Sequence, residues 1–312
     1  MVKKMLKVLF TGLQNSGKTS ILLTLQKKYS QITSIKPTKG VERAGLEVLG
    51  LDIKVWDLGG QEAYRTKYFE KQEEYFSETD VFFFIIDLLD TRKYYEALTY
   101  YLKIVEVFNN QNANNQTVMP QIVIFIHKFD PDLQTDEITT KNVEKLRVLF
   151  TQEDIDATFF NTTIYNVWSI IQGFSFGLMS LSKKEKALET QLEEFAKKTD
   201  STFILLLDKN RVMIGNYKMD EMHRILGERL MPMIDVYMDI NKLSFAKLTN
   251  LIAQLSDKYL FLQQIQVRED PFFLMIISRS SNIGPILEKI LPEFVKNLET
   301  SLEEFLIPFQ NL

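Results

Sequence analysis

Residues 12–20 read GLQNSGKTS, with the apolar run MLKVLF (5–10) before them and ILLTLQKKY (21–29) after. A strand-like run, a loop bounded by Gly12 and Gly17, and a Lys-Thr pair opening a helix make up G-x-x-x-x-G-K-T. That order turns backbone N–H groups and a helix N-terminus toward a phosphate. In it Gln14, Asn15, Ser16, Gly17 and Ser20 line the phosphates, Lys18 reaches the β- and γ-phosphates, and the Thr19 hydroxyl ligates Mg²⁺. A chance Gly-Lys-Thr turn is the plainer alternative, but it leaves the flanking strand and helix unexplained. Alone, the motif serves ATPases, GTPases and small-molecule kinases equally.

The rest of the chain narrows this. At 312 residues, 45% hydrophobic and 25% charged, it has the composition of globular protein and length enough for two domains. The net charge of -4 gives no electrostatic footprint for a polyanion, so no nucleic acid partner is expected. The absence of cysteine removes disulfides, thiolate zinc sites and cysteine-borne lipids, and Val2 removes N-myristoylation, so no direct membrane anchor is expected. Lys3 and Lys4 followed by MLKVLF read as the approach to a first strand rather than as a secretory signal, because Lys7 interrupts the apolar run and no small-residue cleavage site follows. The longest apolar runs, VFFFII at 81–86 and FFLMII at 272–277, are far below spanning length. A soluble, cytoplasmic protein is expected.

In the first half, the runs KVLF, DIKVW, VFFFIID and QIVIFIH alternate with helix-like segments after Gly17, after Gln61, across 93–108 and across 141–150. Strands alternating with helices predict a mainly parallel sheet covered on both faces, with strands apolar on both sides. NNQNANNQT at 109–117 reads as a polar loop that ends a helix. Beyond about residue 180 the rhythm changes. KKEKALETQLEEFAKK places Leu188, Leu192 and Phe195 on one helical stripe, with Glu194 facing Lys198. FILLL and VMIGNY flank the turn DKNR, a helical stretch runs to about 256, and YLFLQQIQV and FFLMIISR form a second hairpin around RED. A last helix carries Leu287, Leu291, Phe294, Leu298, Leu302 and Phe305, with a kink expected at Pro292. Helix, hairpin, helix, hairpin, helix is an α+β layer, and the boundary falls near 182, giving domains at 1–182 and 183–312.

VWDLGGQE at 55–62 ends a strand with an Asp and continues into glycines. Asp57 at the strand end can hold a Mg²⁺-bound water, the Gly60 N–H can meet a γ-phosphate, and Gln61 can orient an attacking water. A strand followed by an ordinary Gly-Gly turn is the competing reading. HKFD at 127–130 follows the strand QIVIFI. Asp130 there can accept from guanine N1–H and N2–H₂, donors that adenine does not present together, while the Lys128 stem covers the base. Such a site discriminates by a factor on the order of 10⁴. A solvated loop remains the bland alternative. His127 reads as a hydrogen-bonding loop anchor, since the only other histidine is His223.

Together, GLQNSGKTS, WDLGGQE, HKFD and NTTIYNVWSII resemble the Ras superfamily, and most closely the Rag/Gtr GTPases, in which His precedes Lys-x-Asp. LETQLEEFAKKTDSTFILLLDKNRVMIGNY (188–217) is similar to the start of the roadblock domain of that family, so the resemblance spans nearly the whole chain. It implies an α/β fold: a P-loop GTPase domain with a mainly parallel sheet, followed by an α+β roadblock/longin-like domain. It further implies GTP/GDP and Mg²⁺ as ligands, slow GTP hydrolysis, and dimerisation through the roadblock domain. Regulatory and effector proteins, and recruitment to a membrane by a partner, belong to the same implication. In TTI at 162–164, Thr163 and the Ile164 N–H would lie near guanine O6. Thr38 of PTKG would be the second Mg²⁺ ligand beside Thr19 and Asp57.

The loop, KPTKGVE and WDLGGQE resemble Arf-type GTPases at least as closely. Gln14 stands where many fast-cycling relatives have Gly, and its side chain would crowd the γ-phosphate and the water. A GTP/GDP switch would order two segments around 36–45 and 60–75, the first and second switch segments, and in them Arg43 and Arg65 read as solvated surface residues. Three functions stay open: a GTP/GDP switch, a non-hydrolysing GTP-binding scaffold, and a P-loop kinase of a small substrate.

Overall fold

The computed structural model of the protein describes residues 5–310 except 50, 114–117, 152–155, 183–184, 219 and 244–247. Val2, Lys3, Lys4, the end of the NNQNANNQT stretch and the Phe305 and His223 side chains therefore lie outside the described residues. The chain divides into two compact units, one from Met5 to Leu181 and one from Ser182 onward.

In the first unit the strands are β1 (Leu6–Thr11), β2 (Val41–Val48), β3 (Leu51–Leu58), β4 (Val81–Asp87), β5 (Gln121–His127) and β6 (Thr158–Thr162). Interleaved with them are α1 (Lys18–Leu25), α2 (Tyr29–Ile32), α3 (Glu62–Glu70), α4 (Gln72–Tyr75), α5 (Tyr94–Ala113), α6 (Glu137–Thr151) and α7 (Val167–Met179). The strands form one sheet in the order β2-β3-β1-β4-β5-β6, parallel throughout except for the β2–β3 hairpin. β4 shows why: every residue from Val81 to Ile86 is buried, so both faces need cover. On one face Phe82 and Phe84 meet Tyr101 of α5 and Phe150 of α6. On the other Phe83 stacks on Phe10 at 4.7 Å and on Phe174 of α7 at 5.7 Å. α7 approaches closely because it carries glycines: a Cβ on Gly177 would sit 2.7 Å from Phe83 and one on Gly173 2.4 Å from Phe125.

Three sequence expectations change here. β2 is an edge strand whose outward residues Glu42, Arg43, Gly45 and Glu47 are exposed, and this lack of an apolar run hid it. β3 alternates buried and exposed residues, with Asp52 and Lys54 outward, so it is not apolar on both faces. α5 continues through the asparagine-rich stretch to Ala113, where Gln111 is buried; the polar composition reflects a solvated helix end rather than a loop.

The second unit contains α8 (Glu185–Lys198), β7 (Ser201–Asp208), β8 (Met213–Tyr217), α9 (Glu221–Asn241), β9 (Asn250–Leu255), β10 (Lys258–Val267), β11 (Asp270–Ser278) and α10 (Ile283–Gln310). Its sheet is wholly antiparallel, in the order β8-β7-β11-β10-β9. Leu188, Leu192 and Phe195 of α8 are buried as the stripe predicted, and Phe195 meets Phe294 of α10 at 4.2 Å between ring centres. The i,i+4 ion pair forms one position earlier, as Glu193–Lys197 at 2.8 Å, while Lys198 lies 4.0 Å from Glu293. The helical stretch expected to run to 256 stops at Asn241, and β9 takes its last residues, whose period-two exposure marks a strand. The second hairpin is thus a three-stranded meander. α10 passes through Pro292 without interruption. This α+β arrangement is consistent with the roadblock-like domain that the resemblance implies. Among the described residues no helix is long and apolar enough to cross a membrane.

Candidate nucleotide site

The loop between β1 and α1 is shaped by its two glycines. Gly12 has φ 151° and Gly17 φ 94°, and a Cβ on Gly12 would lie 2.2 Å from the Ile85 carbonyl oxygen. Both conformations belong to glycine. Asn15 adopts φ 66°, a left-handed position that Asn tolerates better than most residues. Gly17 N-caps α1, so the helix begins at the Lys-Thr pair, as the motif requires. Lys18 is buried and folds back on the loop: its Nζ donates to the carbonyls of Leu13 at 2.9 Å and Gly12 at 3.2 Å, and approaches Ser16 Oγ at 3.4 Å. Burial pulls its ammonium from 10.5 down to about 8. A buried cation whose hydrogen bonds among the described residues go to neutral acceptors is poised for an anion.

Beside it three oxygens converge. Thr19 Oγ1 donates to Asp57 Oδ2 at 2.6 Å and lies 3.0 Å from Thr38 Oγ1, which is itself 3.4 Å from Asp57 Oδ2. Asp57 is 2% exposed, and its second oxygen, Oδ1, is buried without a hydrogen-bond partner among the described residues. Burial pushes its carboxyl above the ordinary range, against the pull of Lys18 and the two hydroxyls. An orphaned carboxylate oxygen beside two hydroxyls is a hard oxygen donor set of the kind that Mg²⁺ takes, with only one or two protein carboxylates. The residues present therefore fit the ion. Gln14, Asn15, Lys18, Thr19, Ser20, Thr38, Gly60 and Gln61 line one cavity of about 270 Å³. Gly60 is pressed to the loop, since a Cβ there would come within 2.3 Å of the Leu13 carbonyl carbon. Gln61 caps α3, its carbonyl accepting from the N–H groups of Tyr64 and Arg65.

HKFD sits at the end of β5, beside the end of β6. His127 is buried, Nδ1 lies 2.9 Å from Thr162 Oγ1, and its ring fills the space over Gly17, where a Cβ would be 2.3 Å from Cδ2. Burial, with the neighbouring Lys128 charge, lowers its pKa from 6.5 to about 3, so the ring is neutral. Lys128, at φ 67°, places its Nζ 2.7 Å from Asp87. Asp130 Oδ1 accepts from Thr163 Oγ1 at 2.5 Å, which brings HKFD against the TTI loop that holds Ile164.

Sequence reasoning missed several residues around these groups. Asp87, at the end of β4, pairs with Lys128, and only the fold brings the two together. Arg65 is not a solvated surface residue: its guanidinium pairs with Glu96 at 2.5 Å, lies over the Tyr100 ring, and is 14% exposed. Arg43 is exposed but rests over Trp56 at 4.0 Å. The burial of Arg65 depends on α5, far away in sequence, so its surroundings carried no local signal.

A phosphate-cradling loop, a hydroxyl–carboxylate cluster and a carboxylate-bearing base loop on a mainly parallel sheet define a P-loop nucleotide-binding protein. Residues 7–237 match the family model described as Gtr1/RagA G protein conserved region, and the chain belongs to that family. It is thus a small GTP-binding switch protein of the Rag type within the Ras superfamily, a family of GTPases. Ras-related GTP-binding protein A of Dictyostelium discoideum is 25% identical over 291 residues, covering 88% of this chain and 87% of that protein. GTP-binding protein gtr1 of Schizosaccharomyces pombe is 25% identical over 214 residues, 67% of each chain. ADP-ribosylation factor-like protein 3 of Chlamydomonas reinhardtii is 36% identical over 91 residues, 29% of this chain and 48% of that protein.

The buried His127 ties stability to pH. The unfolded chain takes up a proton near pH 6.5, whereas the folded ring resists protonation down to about 3. As pH falls below 6.5 the unfolded state binds the extra proton, so stability is lost by up to about 1.4 kcal/mol per pH unit. Urea unfolding of the wild type and His127→Asn between about pH 7 and pH 5.5 should show a shallower acid loss in the variant.

Proposed function

We propose that this chain is a Mg²⁺-dependent GTP/GDP switch that hydrolyses GTP slowly and signals through nucleotide-dependent partner binding. The observation that carries the reading is the meeting of the Thr19, Thr38 and Asp57 side chains, the two threonines lining the cavity, with Asp57 Oδ1 buried and without a hydrogen-bond partner among the described residues. These residues come from the phosphate loop, the first switch segment and the end of β3, and a switch needs such a junction. Bound Mg²⁺ would neutralise charge on the β- and γ-phosphate oxygens. Thr19, Thr38 and Asp57 would hold it. Lys18 would exchange its loop carbonyls for phosphate oxygens, and the backbone of Gln14 to Ser20 would cradle them. Gly60 would meet the γ-phosphate, and Gln61 would position the attacking water. Asp130, steadied by Thr163, would accept from the guanine edge, with Lys128, His127 and Ile164 completing the base site.

Specificity is the first test. Asp130→Asn replaces an acceptor by a donor and should weaken GTP binding by a factor on the order of 10⁴ while favouring xanthine nucleotide. In a fluorescent-nucleotide competition assay, ATP should fail to displace GTP from the wild type, and equal competition would refute guanine recognition.

Hydrolysis is expected to be slow, on the order of 10⁻⁴ to 10⁻² s⁻¹ without an activating protein. Gln14 is exposed on the loop and lines the same cavity as Gln61, which favours slow turnover. Gln61→Leu should lower the single-turnover rate further and leave GDP affinity intact. An unchanged rate would turn the reading toward a GTP-binding scaffold.

The second domain of this reading, 183–312, serves as a roadblock dimerisation domain and 1–182 carries the nucleotide site, one residue from the division between the compact units at Leu181. Its sheet ends in β8 and β9, and Ile252 on β9 is 55% exposed. β8 forms one edge of this sheet, whereas β10 lies inside it. Open edges are liabilities that pairing removes. The full chain should sediment as a homodimer, or with a second roadblock-bearing protein, at micromolar concentration. A chain that stays monomeric and captures no such partner would remove dimerisation from the proposal. Cytoplasmic residence, with any membrane contact made through a partner, belongs to the same reading.

A further inference from the structure

Tyr68, in the second turn of α3, is 2% exposed, and its hydroxyl donates to the Gly40 carbonyl at 2.7 Å. The same carbonyl accepts the Gly59 N–H at 2.9 Å. Gly40 stands at φ 72°, which turns its carbonyl toward both donors. Gly59 is wedged against the same segment: a Cβ on it would lie 2.6 Å from the Thr38 carbonyl oxygen and 3.1 Å from that of Gly40. Two residues before Gly40, the Thr38 hydroxyl completes the cluster with Thr19 and Asp57. Gln61 is the N-cap of α3, so the cap of this helix carries the side chain proposed to position water and the helix bears this hydroxyl two turns on. The Tyr68 ring packs on Tyr75 at 4.9 Å, a contact that phenylalanine would make equally well. The hydroxyl is therefore not needed for packing, and a buried hydroxyl without a partner is costly. Burial also holds the phenol far above its ordinary range, so it stays a donor.

We propose that Tyr68 is a positioning residue, whose bond to the Gly40 carbonyl fastens the first switch segment to α3 and so sets how firmly Thr38 is held at the metal site. The inference rests on the Mg²⁺-dependent switch reading and names a regulator of that same site. The two switch segments then close as one piece. A nucleotide that draws Thr38 inward also steadies α3 and Gln61, and one that leaves Thr38 slack loosens both. The coupling acts on GTP more than on GDP, because the γ-phosphate is what the Thr38 side of the site closes over.

The test is Tyr68→Phe in the full chain, which keeps the ring and removes only the hydroxyl. Release of fluorescent GTP and GDP analogues is timed with excess Mg²⁺ and again with EDTA, and thermal melting is recorded for both proteins. Losing one neutral hydrogen bond should speed GTP release in Mg²⁺ by about two- to tenfold. GDP release should change by less than about twofold, and EDTA should erase the difference between variant and wild type. GTP and GDP release that rise together, with a lowered melting temperature, would make Tyr68 a structural residue and overturn the coupling. Identical rates for variant and wild type would overturn it as well. A wild type whose GTP release ignores EDTA would overturn the Mg²⁺ reading itself, and the coupling with it. A wild type that responds to EDTA while the variant matches it in every rate would sink the coupling alone.

Discussion

The buried carboxylate of Asp57 is the constraint around which the nucleotide-binding unit is organised. A carboxyl 2% exposed, with one oxygen bonded by Thr19 and Thr38 and the other without a partner among the described residues, is a costly arrangement next to apolar strands. The fold maintains it by placing β3 next to β1, in a parallel register that sets Phe10 against Asp57. The phosphate loop and the acid thereby leave the same edge of the sheet side by side. Lys18 contributes the opposite charge, and each group shifts the other toward its ionised form while burial shifts both away from it. The site is thus under electrostatic tension that a divalent cation and a polyphosphate together would relieve.

Glycine does the complementary steric work. Gly12, Gly59 and Gly60 sit where a methyl group would strike backbone, from Ile85, Thr38 and Leu13 in turn. These contacts draw three chain segments to within van der Waals reach of one another, so a small displacement of any one is felt by the others. Interfaces packed this closely move between discrete arrangements rather than deforming gradually, which suits a two-state device.

Much of this could be read from the sequence because the chemistry is local. The loop, the Asp-Leu-Gly-Gly-Gln turn and His-Lys-Phe-Asp each occupy a few consecutive residues, and the buried strands announce themselves as apolar runs. What could not be read depended on partners distant in the chain. β2 carries glutamates and an arginine because only one of its sides is paired, so its period-two pattern is diluted by solvent-facing residues. β9 looked like the tail of a helix, since Asn-Leu-Ile-Ala-Gln-Leu satisfies either period and only pairing with β10 decides between them. Arg65 was read as solvated and Asp87 was passed over for the same reason: Glu96, Tyr100 and Lys128 give them their surroundings, and those residues arrive by folding.

The packing of His127 on Gly17 bears on how such a sequence can drift. The imidazole occupies the volume that any side chain at 17 would need, and Gly17 in turn has a backbone that other residues rarely adopt. The two positions, 110 residues apart, therefore form one unit of variation. A larger residue at 17 is admissible only with a smaller one at 127, and a smaller one at 127 must still reach Thr162 to keep β5 and β6 in register. The ring thus sets the spacing between the phosphate loop and the ends of β5 and β6.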